Sequence, residues 1–121
     1  PAADALRALE AVLRALEDWN AKRAREGRQT LAFGMATVAG TILFGAVGDR
    51  DRLEYTVIGD SVNLAAKLEK HNRLEGCRAL TTAETLSRAE AEGYRPAQPC
   101  HPLSARLVDG VATSLDLVRL A

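Results

Sequence analysis

Between Leu53 and Glu69 the apolar residues change period across a single glycine, from that of a strand to that of a helix. Leu53, Tyr55 and Val57 alternate along Leu53 to Ile58, which predicts a strand with one covered face. Gly59 ends it. The residues that follow read as a helix that Asp60 or Ser61 can cap. On that helix Asn63 and Lys67 are four apart, so they project from one face a turn apart. Val62, Ala65 and Ala66 lie on an adjacent face suited to packing. With the turn that begins at Gly48, the unit runs turn, strand, glycine turn, helix. An amide and a cation near the start of such a helix can meet an anion.

The rest of the chain supplies what this unit packs against. Its 121 residues predict one domain. Only 4% are aromatic, so the core must be built from Leu, Val, Ile and Ala. Residues 4 to about 26 predict an amphipathic helix with Leu6, Leu9, Val12, Leu13, Leu16 and Trp19 on one face. Its basic end, Lys22, Arg23 and Arg25, suits the negative pole of the helix, and Gly27 stops it. Thr30 to Ala39 and Thr41 to Val47 are apolar runs around Gly40, expected as central strands covered on both faces or packed deeply on one. Gly34, Gly40, Gly45 and Gly48 serve turns and close packing, or let backbone approach a ligand; spacing does not separate the two. None completes a phosphate-binding loop or a dinucleotide fingerprint.

Beyond the motif the helix fades through Lys70 to Arg73, and Gly76 ends the segment. Cys77 to Thr81 predicts a short strand. Thr81-Thr82-Ala83-Glu84 has the spacing of a capping box for a helix that runs to about Glu92 and stops at Gly93. Tyr94 to Gln98 reads as a further strand, with Pro96, Pro99 and Pro102 marking an edge or loop. Ser104 to Val108 and Ser114 to Leu120 alternate as a terminal hairpin turning near Asp109-Gly110. The order predicts an α+β or mixed α/β domain on one sheet.

Charge and motifs exclude several classes. Sixteen basic residues balance sixteen acidic ones, which leaves no footprint for a nucleic acid polymer or an anionic membrane surface. The longest apolar run, Ile42 to Val47, is far too short to span a bilayer, and the first residues lack a signal-peptide layout. Cys77 and Cys100 have no metal-ligand spacing and are expected as reduced, partly buried thiols. His71 and His101 read as surface or packing residues. The serines lack a neighbouring histidine motif. Asp49, Asp51, Glu54 and Asp60 cluster in sequence as metal-binding carboxylates do. The preferred reading is local: Asp49 and Asp51 in a turn, Glu54 on the open side of a strand, Asp60 as a cap.

Gly45-Ala-Val-Gly48, followed by Tyr55-Thr-Val-Ile-Gly-Asp-Ser-Val-Asn-Leu-Ala-Ala-Lys-Leu-Glu69, resembles the class III adenylate/guanylate cyclase catalytic domain. The family's pattern there is glycine, aliphatic, glycine, a short polar loop, then Tyr-Thr-x-x-Gly-Asp-x-Val-Asn-x-Ala-x-Arg. The first helix, the apolar runs and the terminal hairpin follow the family's order, so the resemblance extends over residues 1–121. It implies an α+β, ferredoxin-like palm sheet with packed helices, truncated at its N-terminal strands. The family's metal-binding aspartates lie on those strands, so the two divalent metals expected in the intact dimer, Mg²⁺ or Mn²⁺, have no ligands in this sequence.

The resemblance also implies a reaction: the ribose 3′-hydroxyl of ATP attacks its own α-phosphate and pyrophosphate leaves. Asn63 would orient the ribose, Lys67 would stabilise charge on the α-phosphate, and Thr56 would sit at the base. Gly59 and Asp60 support the motif. Family sites form between two copies placed head to tail, and this chain carries the half with the amide and cation; its open edge also invites strand exchange. The implied location is the cytoplasm, or the cytosolic face of a membrane-anchored protein. The sequence departs from the pattern twice. Lys67 stands where arginine is usual, losing a planar fork. The terminal hairpin offers Val108-Asp109-Gly110-Val111 where many members carry a phosphate-binding lysine. These departures motivate the alternative of a degenerate domain that dimerises or binds nucleotide without turnover.

Overall fold

Helix α1 (Ala2–Arg25) opens the chain, and three-residue β1 (Met35–Thr37) follows it. Next come β2 (Leu43–Gly48), β3 (Leu53–Ile58), α2 (Asp60–Glu75), β4 (Ala79–Thr82), α3 (Ala83–Ala91), β5 (His101–Arg106) and β6 (Leu115–Arg119). The computed structural model describes residues 1–121 apart from the side chains of Val47 and Tyr55. The fold is α+β. A mixed sheet of order β1-β4-β6-β5 pairs β1 with β4 in parallel and β6 antiparallel to both β4 and β5.

Helices cover both faces of that sheet. On one, Leu68 of α2 is fully buried with Val108 and Leu117, and Ala36, Val38, Leu64 and Leu115 close around them. On the other, Ala2, Ala3 and Leu6 of α1 meet Ala89 and Tyr94. Ala36 of β1 and Leu115 and Leu117 of β6 face the α2 cluster, while Ala39 and Leu120, just past the ends of those strands, pack against the α1 cluster. The strand buried along its whole length is β4. Thr81 donates to the Thr37 carbonyl at 2.6 Å across the parallel pair.

Several expectations are corrected. The apolar runs flanking Gly40 are not central strands. The first contracts to β1 at a sheet edge. Before it, the chain lies along α1, where the Asn20 amide donates to Leu31 O at 2.8 Å and accepts from Leu31 N at 2.9 Å. The second run becomes β2, which pairs only with β3 in a separate two-stranded sheet, so the strands do not form one sheet. Among the described residues no helix covers this hairpin, and Leu43 and Leu53 are each 71% exposed. The expected covered face through Leu53, Tyr55 and Val57 fails at Leu53 and Val57, both exposed, while the Tyr55 side chain lies outside the described residues.

Packing on α2 falls to Leu64, Leu68, His71 and Asn72, not to Val62, Ala65 and Ala66; the sheet meets the helix on the side those larger residues occupy. On α1 the buried residues stop at Leu9, and Val12 and Trp19 are exposed. The cap of α3 is Thr82, whose hydroxyl accepts from Thr85 N at 3.0 Å; Thr81 is committed to β1 instead. No strand forms over residues 94–98. Tyr94 is buried, donates to the Glu10 carboxylate, and pins that segment to α1. The terminal hairpin starts earlier than expected, at His101.

Candidate functional site

The strand-to-helix unit places the expected site residues, with one change in how it is built. Neither Asp60 nor Ser61 caps α2. The cap is Gly59, whose carbonyl accepts from Val62 N at 3.1 Å and Asn63 N at 3.2 Å. Asp60 is exposed in the first turn, where its charge still suits the helix dipole. Ser61 is held against Gly40, where a Cβ would come within 1.8 Å of the serine oxygen. Gly40 thus serves close packing between β1's exit and the helix start.

Asn63 is exposed, and its amide has no hydrogen bond among the described residues. One turn on, Lys67 is half-buried and donates to the Gly110 carbonyl in the β5–β6 connection at 2.7 Å. Thr56 sits in mid-β3 opposite Gly45, half-buried on the hairpin. The three polar residues therefore lie on consecutive elements: the base candidate on the strand, the amide and cation on the helix. Sequence reasoning did not find the Gly110 contact, because nothing in residue spacing brings position 110 to position 67.

The carboxylates near the motif do not converge. Asp49 accepts from the backbone N–H of Asp51 and Arg52 at 3.0 and 3.1 Å, closing the β2–β3 turn as the local reading expects. Among the described residues no cluster of His, Cys, Asp and Glu is arranged to hold a metal ion. These residues do not fit a two-metal centre.

A cavity of about 430 Å³ opens beyond the carboxyl ends of parallel strands β1 and β4, between the starts of α2 and α3. Its walls carry Asp60, Glu84 and Asp116 against one cation, Arg88, which Glu84 already pairs at 2.7 Å. That balance repels a triphosphate, and neither Asn63 nor Lys67 lines it. The far end of α2 holds a second polar cluster. His71, buried, has Nε2 2.9 Å from Glu75 Oε2. Arg106 Nε lies 3.0 Å from the same oxygen, off the line of a hydrogen bond. Cys77 and Cys100 are free thiols, and burial pushes both above the usual thiol range, which disfavours nucleophilic chemistry.

No family model matches the chain. Adenylate cyclase 1 of Rhizobium meliloti is 29% identical over 113 residues, 93% of this chain and 16% of the relative. Adenylate cyclase of Anabaena cylindrica is 34% identical over 82 residues, 64% of this chain and again 16% of the relative. The chain thus spans about one sixth of the length of these curated relatives. Among solved structures, guanylyl cyclase Cya2 matches with a TM-score of 0.66 at 22% identity, over 96% of this chain and 57% of that one. Adenylyl cyclase CyaB from P. aeruginosa matches with a TM-score of 0.53 at 24% identity, over 69% of this chain and 39% of that one. The structural likeness is one of fold. Relatives named adenylate cyclase and structural neighbours among the class III adenylyl and guanylyl cyclases cover much of the chain, as the motif resemblance implies.

Proposed function

We propose that the chain is the nucleotide-binding half of a class III nucleotidyl cyclase catalytic domain, and that the whole protein forms cyclic AMP from ATP. The observation that carries this reading is the pair Asn63 and Lys67, one turn apart on α2 behind Gly59, in a motif shared with cyclases. The Asn63 amide, unbonded among the described residues, would hold the ribose so that the 3′-oxygen faces the α-phosphorus. That oxygen forms the new bond, the bond to the bridging oxygen breaks, pyrophosphate leaves, and the hydroxyl proton passes to solvent. Lys67 supplies a positive charge where the phosphorane builds negative charge. Thr56, at the position where the resemblance places the base-selecting residue, is assigned to adenine. Divalent Mg²⁺ or Mn²⁺ would neutralise the phosphates in the intact protein; no residue of this chain is assigned to hold them, and this chain alone is expected to be inactive.

A copy of the whole protein placed head to tail would complete the site, and the β2–β3 hairpin of this chain offers it a surface. Ile42, Leu43, Leu53 and Ile58 stand in solvent along its two faces. Burying two of these leucines is worth roughly 1.5–3 kcal/mol each. Leu43→Asp with Leu53→Asp is therefore expected to weaken self-association at least ~10-fold in sedimentation equilibrium. Unchanged association would move the dimer surface elsewhere, the open edge of β1 being the next candidate for exchange of strands.

The engaged state of Lys67 favours a second reading, a degenerate domain that binds nucleotide or dimerises without turnover. Incubating the full-length protein with ATP or GTP and Mn²⁺, and measuring cyclic nucleotide, separates the two. Cyclic AMP is the expected product. Bound nucleotide with no product from either substrate would leave the degenerate reading. The assigned location is the cytoplasm or the cytosolic face of a membrane-anchored protein; no helix among the described residues is long and apolar enough to cross a membrane.

A further inference from the structure

We infer that the Val108–Val111 turn is a docking point for the Lys67 ammonium, and that a phosphate must draw the ammonium off the Gly110 carbonyl before Lys67 can serve it. The inference rests on the nucleotide reading of Lys67 and adds a positioning residue, Gly110, that acts through it.

The turn is built to receive this side chain. Gly110 adopts φ +80°, and a Cβ there would stand 3.1 Å from Lys67 Cε, 3.4 Å from Nζ and 3.6 Å from Cδ. The lysine stem therefore occupies the space a side chain at position 110 would need, and only glycine both takes this backbone conformation freely and leaves that space. Nζ then reaches the Gly110 carbonyl at 2.7 Å, a charge-assisted length.

The acceptor is fixed and the donor is mobile. Val111 N–H bonds to Val108 O at 3.0 Å, closing the turn. Val108 is buried and Val111 half-buried in the cluster around Leu68, the residue next to Lys67, so turn and helix are packed as one body. The ammonium rides on a four-carbon stem with free rotations, so it can exchange one oxygen acceptor for another without moving the helix. Asp109 lies exposed beside it and adds negative charge to the docked arrangement. An arginine at position 67 would bring a longer, planar group to the same point and could bond a phosphate with its second nitrogen. Lysine offers a point charge, so each acceptor competes for it.

The test uses the fact that the chain holds only three lysines, Lys22, Lys67 and Lys70. A proton–nitrogen correlation spectrum tuned to lysine ammonium groups, recorded cold and mildly acidic, is expected to show one protected signal. That signal should vanish in Lys67→Gln and in Gly110→Ala, whose methyl pushes the stem aside. Gly110→Asn, which tolerates positive φ, repeats the test should the alanine variant not fold. Titration with sodium tripolyphosphate, read by chemical shift, is then expected to show about 5-fold tighter binding in Gly110→Ala than in the unaltered chain, the worth of one exposed charge-assisted bond. A protected signal that survives both Gly110 variants, or no protected signal at all, overturns the docking point. Equal tripolyphosphate affinities overturn the competition. A Gly110-dependent signal with no tripolyphosphate binding in any variant overturns instead the phosphate role of Lys67, and so the nucleotide reading on which the competition rests.

Discussion

Asn63→Ala in the whole protein is expected to lower cyclic nucleotide formation ~100- to 1,000-fold, the usual loss when one preorganised donor is removed from a charged transition state. The residue lends itself to the test because it is exposed and hydrogen-bonded to nothing among the described residues, so the fold has no stake in it. Far-ultraviolet circular dichroism and the unfolding midpoint should therefore match the parent while turnover falls. The loss should fall mainly on kcat, because a misplaced ribose still binds but presents its 3′-oxygen poorly. A variant that keeps full turnover would remove Asn63 from the site. Lys67→Arg is the companion measurement. A guanidinium can hold phosphate by two nitrogens, so activity should be retained or raised; a collapse would mean that the Gly110 contact, rather than the phosphate, dictates the residue at 67.

The second large effect concerns stability. Asn72→Leu in this chain is expected to cost about 2–3 kcal/mol in urea denaturation. Asn72 is 2% exposed. Its Nδ2 donates to Met35 O at 2.9 Å and to Glu69 O at 3.1 Å, and its Oδ1 accepts from Cys77 Sγ at 3.3 Å. Leucine fills a similar volume, so little of the cost is a cavity. The cost is the partly buried Met35 carbonyl and Cys77 thiol losing their partners. Met35 heads the shortest strand of the sheet, which the Asn72 amide ties to α2. A loss below about 0.5 kcal/mol would show that β1 is held by its pairing with β4 alone.

What the sequence disclosed tracks the range of the interactions involved. The motif from Leu53 to Glu69 was legible because strand period, glycine break and helix period are local. Its internal geometry, with Asn63 and Lys67 a turn apart, follows from the helix itself. The errors lie where a third element decides. Leu43 and Leu53 have the hydrophobicity of a core, and only the absence of a covering helix among the described residues leaves them in solvent. Thr81 and Thr82 are equally good caps in isolation; the parallel partner β1 takes Thr81 and leaves Thr82 for the helix. Asn72 and His71 read as a fading helix end, yet they are the polar part of the core, because the chain after Gly76 turns back beneath them. The candidate site divides the same way: Asn63, Lys67 and Thr56 came from the motif, while Gly110 enters only through tertiary folding.

The parallel pairing of β1 with β4 also sets an order of events. Thr37 and Thr81 are joined across a sequence separation of 44, and the pair includes a strand of only three residues. Closing a loop of that length loses entropy before it gains contacts. The β5–β6 hairpin and α2 can form and pack first, β4 can then align on β6, and β1 has nothing to pair with until that is done. It should be the last strand to form and the first to leave. Amide exchange in the native state would then show Met35 to Thr37 opening at lower free energy than Leu80 to Thr82, and refolding would be limited by this one late closure.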